Sequence, residues 1–289
     1  MDGARLCVVS GLQNRSGMKD TLLVVLSDLH SGSNYALFPD RVWRGLNENT
    51  HTPTSNQQKI RAQFLKYAAS VKAARKNKAV KIVINGDAID GDHHNSGDVC
   101  TLNELEQADI HIELMNEFQK LIGWQRGDEI YYTRGTQTHT HNMEDYIGRE
   151  MNAVPAGDFY CHELLKLKVN GKSAWFVHHG PGAGAGANEG NSLRNWLKVI
   201  YYDALKDKSE IPDIVITGHV HTPTYVPFGW RDGLEFHLMH GIILPSWQLK
   251  TRYAHMVAPV SKNKIGGVMV EVKADGTITI PVFSCMDTQ

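Results

Sequence analysis

The strongest constraint on how this chain folds is a pattern that recurs from residue 21 to residue 221. A short apolar run of strand length is followed at once by a polar cluster containing aspartate or histidine. Residues 21–27 (TLLVVLS) carry a continuous apolar run, Leu22 to Leu26, that ends in a polar loop, which suits a strand covered on both faces. The same reading applies to 79–85 (AVKIVIN), 129–134 (EIYYTR) and 213–218 (DIVITG). The segments LLKLKV and SAWFVHH flank Asn170-Gly171, a strong hairpin signal.

Helical periodicities lie between these runs. Residues 56–76 space Ile60, Phe64, Tyr67 or Ala68, and Val71 at three and four, which predicts an amphipathic helix with a cationic end. Residues 101–122 predict a second helix through Leu105, Ile112, Leu114, Phe118 and Leu121. A short helix is expected around 143–151 and another from about Ser192 to Leu205, after a glycine-rich loop at 180–190. Beyond that, 222–245 and 265–283 alternate apolar and polar residues, with Asp275-Gly276 as a second hairpin turn. Strands that first alternate with helices and then pair as hairpins predict an α/β fold of two layered sheets with helices outside. No repeat, low-complexity tract or linker interrupts the chain, so residues 18–289 are expected to form a single domain. Residues 1–17 read as an N-terminal extension or as an ordinary terminus.

Composition narrows the possibilities. With 42% hydrophobic residues the chain can bury a substantial core. Its formal net charge of −1 excludes an overall basic field for nucleic acid, so any basic groove has to be local. Cys7, Cys100, Cys161 and Cys285 are far apart and form no C-x-x-C pair, which suits reduced packing residues and a cytoplasmic location. No stretch approaches the ~20 apolar residues of a membrane span. The apolar run Leu6–Val9 is too short for a signal peptide, so no membrane partner is expected.

The polar clusters carry the chemistry. Asp28 and His30 follow the first strand; Gly86, Asp87 and Asp90 follow the second; Arg134, Gly135 and His139 follow the third. His179 follows the hairpin strand, and His219 and His221 follow the last buried strand. Sites of open α/β sheets sit at such strand ends. Each short motif alone arises often by chance. Together they bring carboxylates and imidazoles to one rim, which suggests metal chemistry.

Read as a series, Asp28-Leu29-His30, Gly86-Asp87-Ala88-Ile89-Asp90, His179-Gly180 and Gly218-His219-Val220-His221 resemble the calcineurin-like metallophosphoesterases. The resemblance spans about residues 21–224 and implies a four-layer α/β/β/α sandwich that hydrolyses phosphoester bonds. Carried over by position, Asp28, His30 and His221 would hold one metal ion, Asp87 would bridge, and His179 and His219 would hold a second. Two ions ~3.5–4 Å apart would activate a water or hydroxide and clamp the phosphate oxygens. Asp90 would orient a ligand histidine or cap a turn. Oxygen and imidazole donors suit Mn, Fe or Zn, with Mn expected first. Phosphodiesters, as nucleotides or nucleic acid, are slightly preferred over phosphomonoesters as substrate.

One motif departs from the family pattern. In place of Gly-Asn-His-(Asp/Glu) the chain has Gly135-Thr136-Gln137-Thr138-His139. Aligned on the glycine, Thr136 replaces the asparagine ligand; aligned on the histidine, Thr138 does. The second metal is then bound more weakly, or takes a substitute ligand such as His139. The favoured reading makes His139 the catalytic histidine, with His141 behind it. His93 and His94 either line the substrate entrance or belong to a solvated loop, and the loop 180–190 lacks the Lys-Ser/Thr pair of a P-loop and reads as a flap. Trp230 and Trp247 read as core or cap. The alternative to an enzyme is a non-catalytic interaction module on the same fold, for which the altered motif would be a sign of decay.

Overall fold

Alternate residues of the first strand face two different cores. In β1 (Thr21–Leu26), Leu22, Val24 and Leu26 join one apolar cluster, while Leu23 and Val25 join another. This period of two explains why the strand has no polar face: both of its faces are covered. The structure, a computed structural model, describes residues 18–46, 48–91, 97–251, 255–256 and 263–287, leaving aside the Thr138 side chain.

The elements follow in order as β2 (Trp43–Arg44), β3 (Thr50–His51), α1 (Ser55–Arg75), β4 (Ala79–Asn85), α2 (Glu104–Ile122), β5 (Glu129–Thr133), α3 (Gln137–Thr140) and α4 (Met143–Glu150). The hairpin β6 (Leu165–Val169) and β7 (Lys172–Val177) comes next, then α5 (Asn191–Asp207), β8 (Ile214–Thr217), β9 (Thr224–Asp232), β10 (Glu235–Ile243), β11 (Lys264–Val272) and β12 (Val282–Asp287). One five-stranded sheet has the order β12-β11-β1-β4-β5 and the other β6-β7-β8-β10-β9. Strands β1, β4 and β5 are mutually parallel, as are β7, β8 and β10.

Three apolar layers separate four structural ones. The first packs α1, α2 and α4 on one sheet through Phe64, Tyr67, Leu114, Phe118 and Ile147. The second lies between the sheets, where Leu23, Val25 and Val83 meet Phe176, Ile214 and Ile216. The third packs Leu193 and Leu197 of α5 on Val215 and Ile243. The arrangement is the expected α/β/β/α sandwich. Trp247 is fully buried in the first layer, as expected of a core residue.

Local signals account for the element ends. Thr54 caps α1 in a reciprocal box with Gln57, and Gly123 ends α2 in the left-handed conformation. At Asp275-Gly276 the chain turns with Gly276 N–H donating to the Lys273 carbonyl, and it then runs on to β12. Cys100, Cys161 and Cys285 are free thiols. Among the described residues, no helix is long and apolar enough to cross a membrane. The expectations for residues 1–17 and for His93 and His94 fall outside the described residues.

Candidate metal centre

Parallel strands of both sheets end at one rim, and the chain holds its register beyond their ends. The Asp28, His30 and Ser31 amides donate to the carbonyls of Gly86, Asp87 and Ala88 at 3.2, 2.9 and 3.0 Å. The Gly218 amide likewise donates to the His178 carbonyl at 3.0 Å. The two sheets are joined at the rim by Asn85, the last residue of β4. Its side-chain amide donates to the Val177 carbonyl at 3.2 Å, and its own carbonyl accepts from His178 Nδ1 at 2.8 Å.

The chain turns sharply where it presents side chains to this rim. Asp28, His30, Asp87, His219 and His221 all have positive φ, between 44° and 69°. Each such residue costs roughly 1–2 kcal/mol relative to ordinary backbone, and conformations of this kind cluster at functional sites. Gly86 has φ +79°, and a Cβ there would lie 2.3 Å from the His178 ring. Only glycine allows that ring to enter.

The side chains form overlapping groups whose donor atoms all lie within 4.8 Å of one another. Asp28, His30 and His221 form one group; His178, His179 and His219 form a second. Asp28, Asp87 and His178 form a third that links the other two. All six ligand positions expected from the sequence are therefore brought together. Asp87 lies centrally, with Oδ2 3.8 Å from His30 Nε2 and 3.1 Å from His178 Nε2. Its other oxygen accepts the Thr136 amide at 2.6 Å.

His178 is the residue that sequence reasoning passed over. Of the pair His178-His179, only the second was assigned, because it stands beside the glycine. The first is 1% exposed, with Nδ1 bound to a carbonyl and Nε2 aimed at Asp87 and, at 3.8 Å, at Asp28. Its signal was available: at the end of a strand that leads into the rim, alternation points successive residues to opposite sides.

The departing loop touches the centre through Thr136, whose Oγ1 lies 3.3 Å from Asp87 Oδ2 and 3.2 Å from His179 Nε2. His139 groups instead with His30 and Asp90, on the other side of the centre. Its Nδ1 is 2.9 Å from the Asp90 carbonyl, and its ring meets that of His30 edge-on at 5.0 Å. A carbonyl only accepts, so Nδ1 carries a proton. His141 pairs with Glu104 and is exposed. Asp90 Oδ1 lies 2.9 Å from His30 Nδ1 and accepts from Gln248 Nε2 at 3.0 Å.

The electrostatics favour a bound cation. Asp28 and Asp87 are buried, and among the described residues no lysine or arginine pairs with either. Burial opposes their ionisation, yet His221 and His178 hold Asp28 below the usual carboxylate range, and His178 and His30 do the same for Asp87. Burial alone would depress His178, but Asp28 and Asp87 raise it to about 9. His179 and His219 are lowered, by burial first and by the neighbouring His178 second. The buried Nε2 atoms of His30 and His178 lack hydrogen-bond partners. Buried imidazole nitrogens converging on two buried carboxylates that no lysine or arginine pairs with among the described residues fit a divalent ion. No cysteine belongs to these groups, so the donors are oxygen and imidazole alone.

Glu144 lies beneath this centre and had not been singled out. It is wholly buried on α4, and burial, with the Asp87 charge adding, raises its carboxyl to about 7. From sequence it reads only as an acid in the first turn of a helix.

No family model matches the chain, and no curated protein does. Solved structures similar to it include a predicted phosphoesterase from Streptococcus pneumoniae, at 12% identity and a TM-score of 0.31, covering 93% of this chain and 99% of that one. A dimetal phosphatase from Danio rerio is similar at 8% identity and a TM-score of 0.40, covering 92% and 98%. A metallophosphoesterase from Sphaerobacter thermophilus is similar at 10% identity and a TM-score of 0.34, covering 92% and 88%. These likenesses are distant. The reading of the centre rests on its own geometry.

Proposed function

We propose that this chain is a metal-dependent phosphoesterase with a dinuclear centre. The observation that carries the reading is Asp87, whose carboxylate stands between two groups of imidazoles, each completed by its own donors. Asp28, His30 and His221 would hold one ion; His178, His179 and His219 would hold the other, with Thr136 as a further oxygen. Divalent ions held there supply Lewis-acid chemistry for in-line displacement at phosphorus.

The protein's own residues supply the rest. Asp90 and Gln248 hold the His30 ring in one orientation, and Asn85 does the same for His178. His139, anchored through Nδ1 on the Asp90 carbonyl and grouped with His30 and Asp90, is the residue assigned to give a proton to the leaving oxygen. A scaffold with no chemistry has no need for five strained residues and two buried carboxylates ringed by imidazoles at one rim.

Mn is expected first, with Fe or Zn as the alternatives, and phosphodiesters of nucleotides or nucleic acid are slightly preferred over phosphomonoesters as substrates. The test is a panel of monoester, diester, cyclic nucleotide and single- and double-stranded DNA, run after chelation and with each metal restored. Activity should vanish with the chelator and return best, or nearly so, with Mn²⁺. Hydrolysis that survives exhaustive chelation would refute the assignment.

A further inference from the structure

At the pole opposite the metal centre, β1, β4 and β5 begin beside a cleft of about 520 Å³. Lys19, the segment from Arg75 to Ala79 and the segment from Gln125 to Asp128 line it. The seven residues of β4, at about 3.3 Å each, put roughly 20 Å of sheet between this cleft and Asp87. Hydrogen bonds fix the three segments against one another. The Ala79 amide donates to the Asp20 carbonyl at 3.0 Å, the Val80 amide to Asp128 Oδ1 at 3.0 Å, and Arg75 Nη1 to the Gly123 carbonyl.

The lining carries a surplus of positive charge. Lys19, Arg75, Lys76, Lys78 and Arg126 are cationic, and Asp128 alone is acidic. Asp128 does not neutralise the opening. Its side chain is only 3% exposed, and it is held by Arg75 Nη2 at 2.6 Å and by the amides of Val80 and Gln125. Lys78 is paired with Glu271 at 3.4 Å. The other nearby acids are engaged as well: Asp20 Oδ1 accepts the Ala274 amide at 2.8 Å, and Glu129 meets Lys81. That leaves Lys19, Lys76 and Arg126, all exposed, and among the described residues no carboxylate pairs with any of them.

A cation at the C-terminal end of a helix needs no ligand, because it complements the helix dipole. Lys72 and Arg75 already do this in the last turn of α1. Lys19 and Arg126 belong to other segments, so their convergence with Lys76 on one concavity is not a helix-end effect. On a chain of net charge −1, three such cations make a local field that attracts a multivalent anion. The volume suits a small ligand, and ammonium and guanidinium groups both bind phosphate oxygens. Among the described residues no aromatic ring lines the cleft, so nothing in it stacks on a base.

We propose that this cleft binds a compact polyphosphate, free or as the phosphate chain of a nucleotide, through Lys19, Lys76 and Arg126. The site is separate from the metal centre and does not depend on its chemistry. The test uses the full chain with a chelator present, sodium tripolyphosphate as the probe, and calorimetry and thermal unfolding as readouts. Binding should saturate, and millimolar tripolyphosphate should raise the unfolding midpoint by roughly 5 °C. Lys76→Gln and Arg126→Gln should each weaken binding roughly three- to tenfold. The chain carrying Lys19→Gln, Lys76→Gln and Arg126→Gln together should show neither binding nor the shift, while its ligand-free midpoint stays at the native value. Lys76→Arg keeps the charge and should bind within a few-fold of the native chain; loss there as well would make the effect one of backbone distortion and count against the site.

A nucleoside triphosphate should bind as tightly as tripolyphosphate, which identifies the phosphate chain as the part recognised. A marked preference for the nucleotide, or tighter binding of a single-stranded oligonucleotide that the same variants weaken, would overturn the assignment to a compact polyphosphate. Absence of binding, or binding that the triple variant retains, would overturn the site itself. Metal-dependent hydrolysis is read separately and is untouched by either result.

Discussion

His178 and Asp87 face each other across the two sheets, with Nε2 of the histidine 3.1 Å from Oδ2 of the aspartate. The imidazole comes from the end of one sheet and the carboxylate from the end of the other. Its Nδ1 is held by the Asn85 carbonyl, so its second nitrogen has only one direction left to face.

On the proposed dinuclear reading, His178 is as much a part of the second ion's site as His179 and His219. His178→Ala should weaken metal binding there by more than the roughly 10–100-fold expected for an outer partner. Asp87→Asn should cost more activity than Asp90→Asn, because both ions lose a ligand at once. Calorimetric metal titration of the folded variants checks both. Native affinity in His178→Ala would return that residue to a packing role.

On the same reading, Asp90 orients His30 rather than ligating an ion. Asp90→Asn presents an amide where His30 Nδ1 now meets a carboxylate oxygen, and Gln248 loses its charged acceptor. Affinity at the Asp28/His30/His221 site should fall roughly 10–100-fold, with the other site little affected. Equal loss at both sites would count against this division of labour.

His139→Ala should reduce turnover roughly 10²–10⁴-fold on substrates with poor leaving groups, the range of general acid–base catalysis. With p-nitrophenolate as leaving group the loss should shrink, since little protonation is needed. A loss that is uniform across leaving groups and rescued by excess metal would make His139 a ligand instead.

Glu144 ties stability to pH. Its carboxyl ionises near 4.5 in an open chain and at about 7 in the fold, and burial is the main cause. Below the lower value both states hold the proton and the group contributes nothing. Between the two values the unfolded chain binds fewer protons, so stability falls as pH rises; above the higher value the full penalty, roughly 3 kcal/mol, is present. In denaturant titrations of the metal-free protein, Glu144→Gln should gain on the native chain by roughly 2–3 kcal/mol between about pH 5 and about pH 8. A difference that does not change with pH would show that Glu144 is ionised in the fold.

Much of this protein is legible one residue at a time. Apolar runs such as 21–27 and 79–85 become buried strands because their length and chemistry leave no other way to cover both faces. The helices at 55–75 and 104–122 follow from a spacing of three and four closed by a cap at one end and glycine or a cation at the other. Asp28, His30, Asp87, His179, His219 and His221 could be named because each stands directly after such a strand.

Other features are decided only when the second sheet packs on the first. His178 and His179 are neighbours in sequence and look alike; the difference is that Asn85, 93 residues before His178, offers one of them a carbonyl. Glu144 reads as a surface acid until α4 settles beneath Asp87 and removes water from it. Local sequence determines which elements form, because backbone preference and hydrophobic period act over a few residues. Which nitrogen, carboxyl or ring ends up facing the centre depends on contacts between segments far apart in the chain, and those exist only in the packed fold.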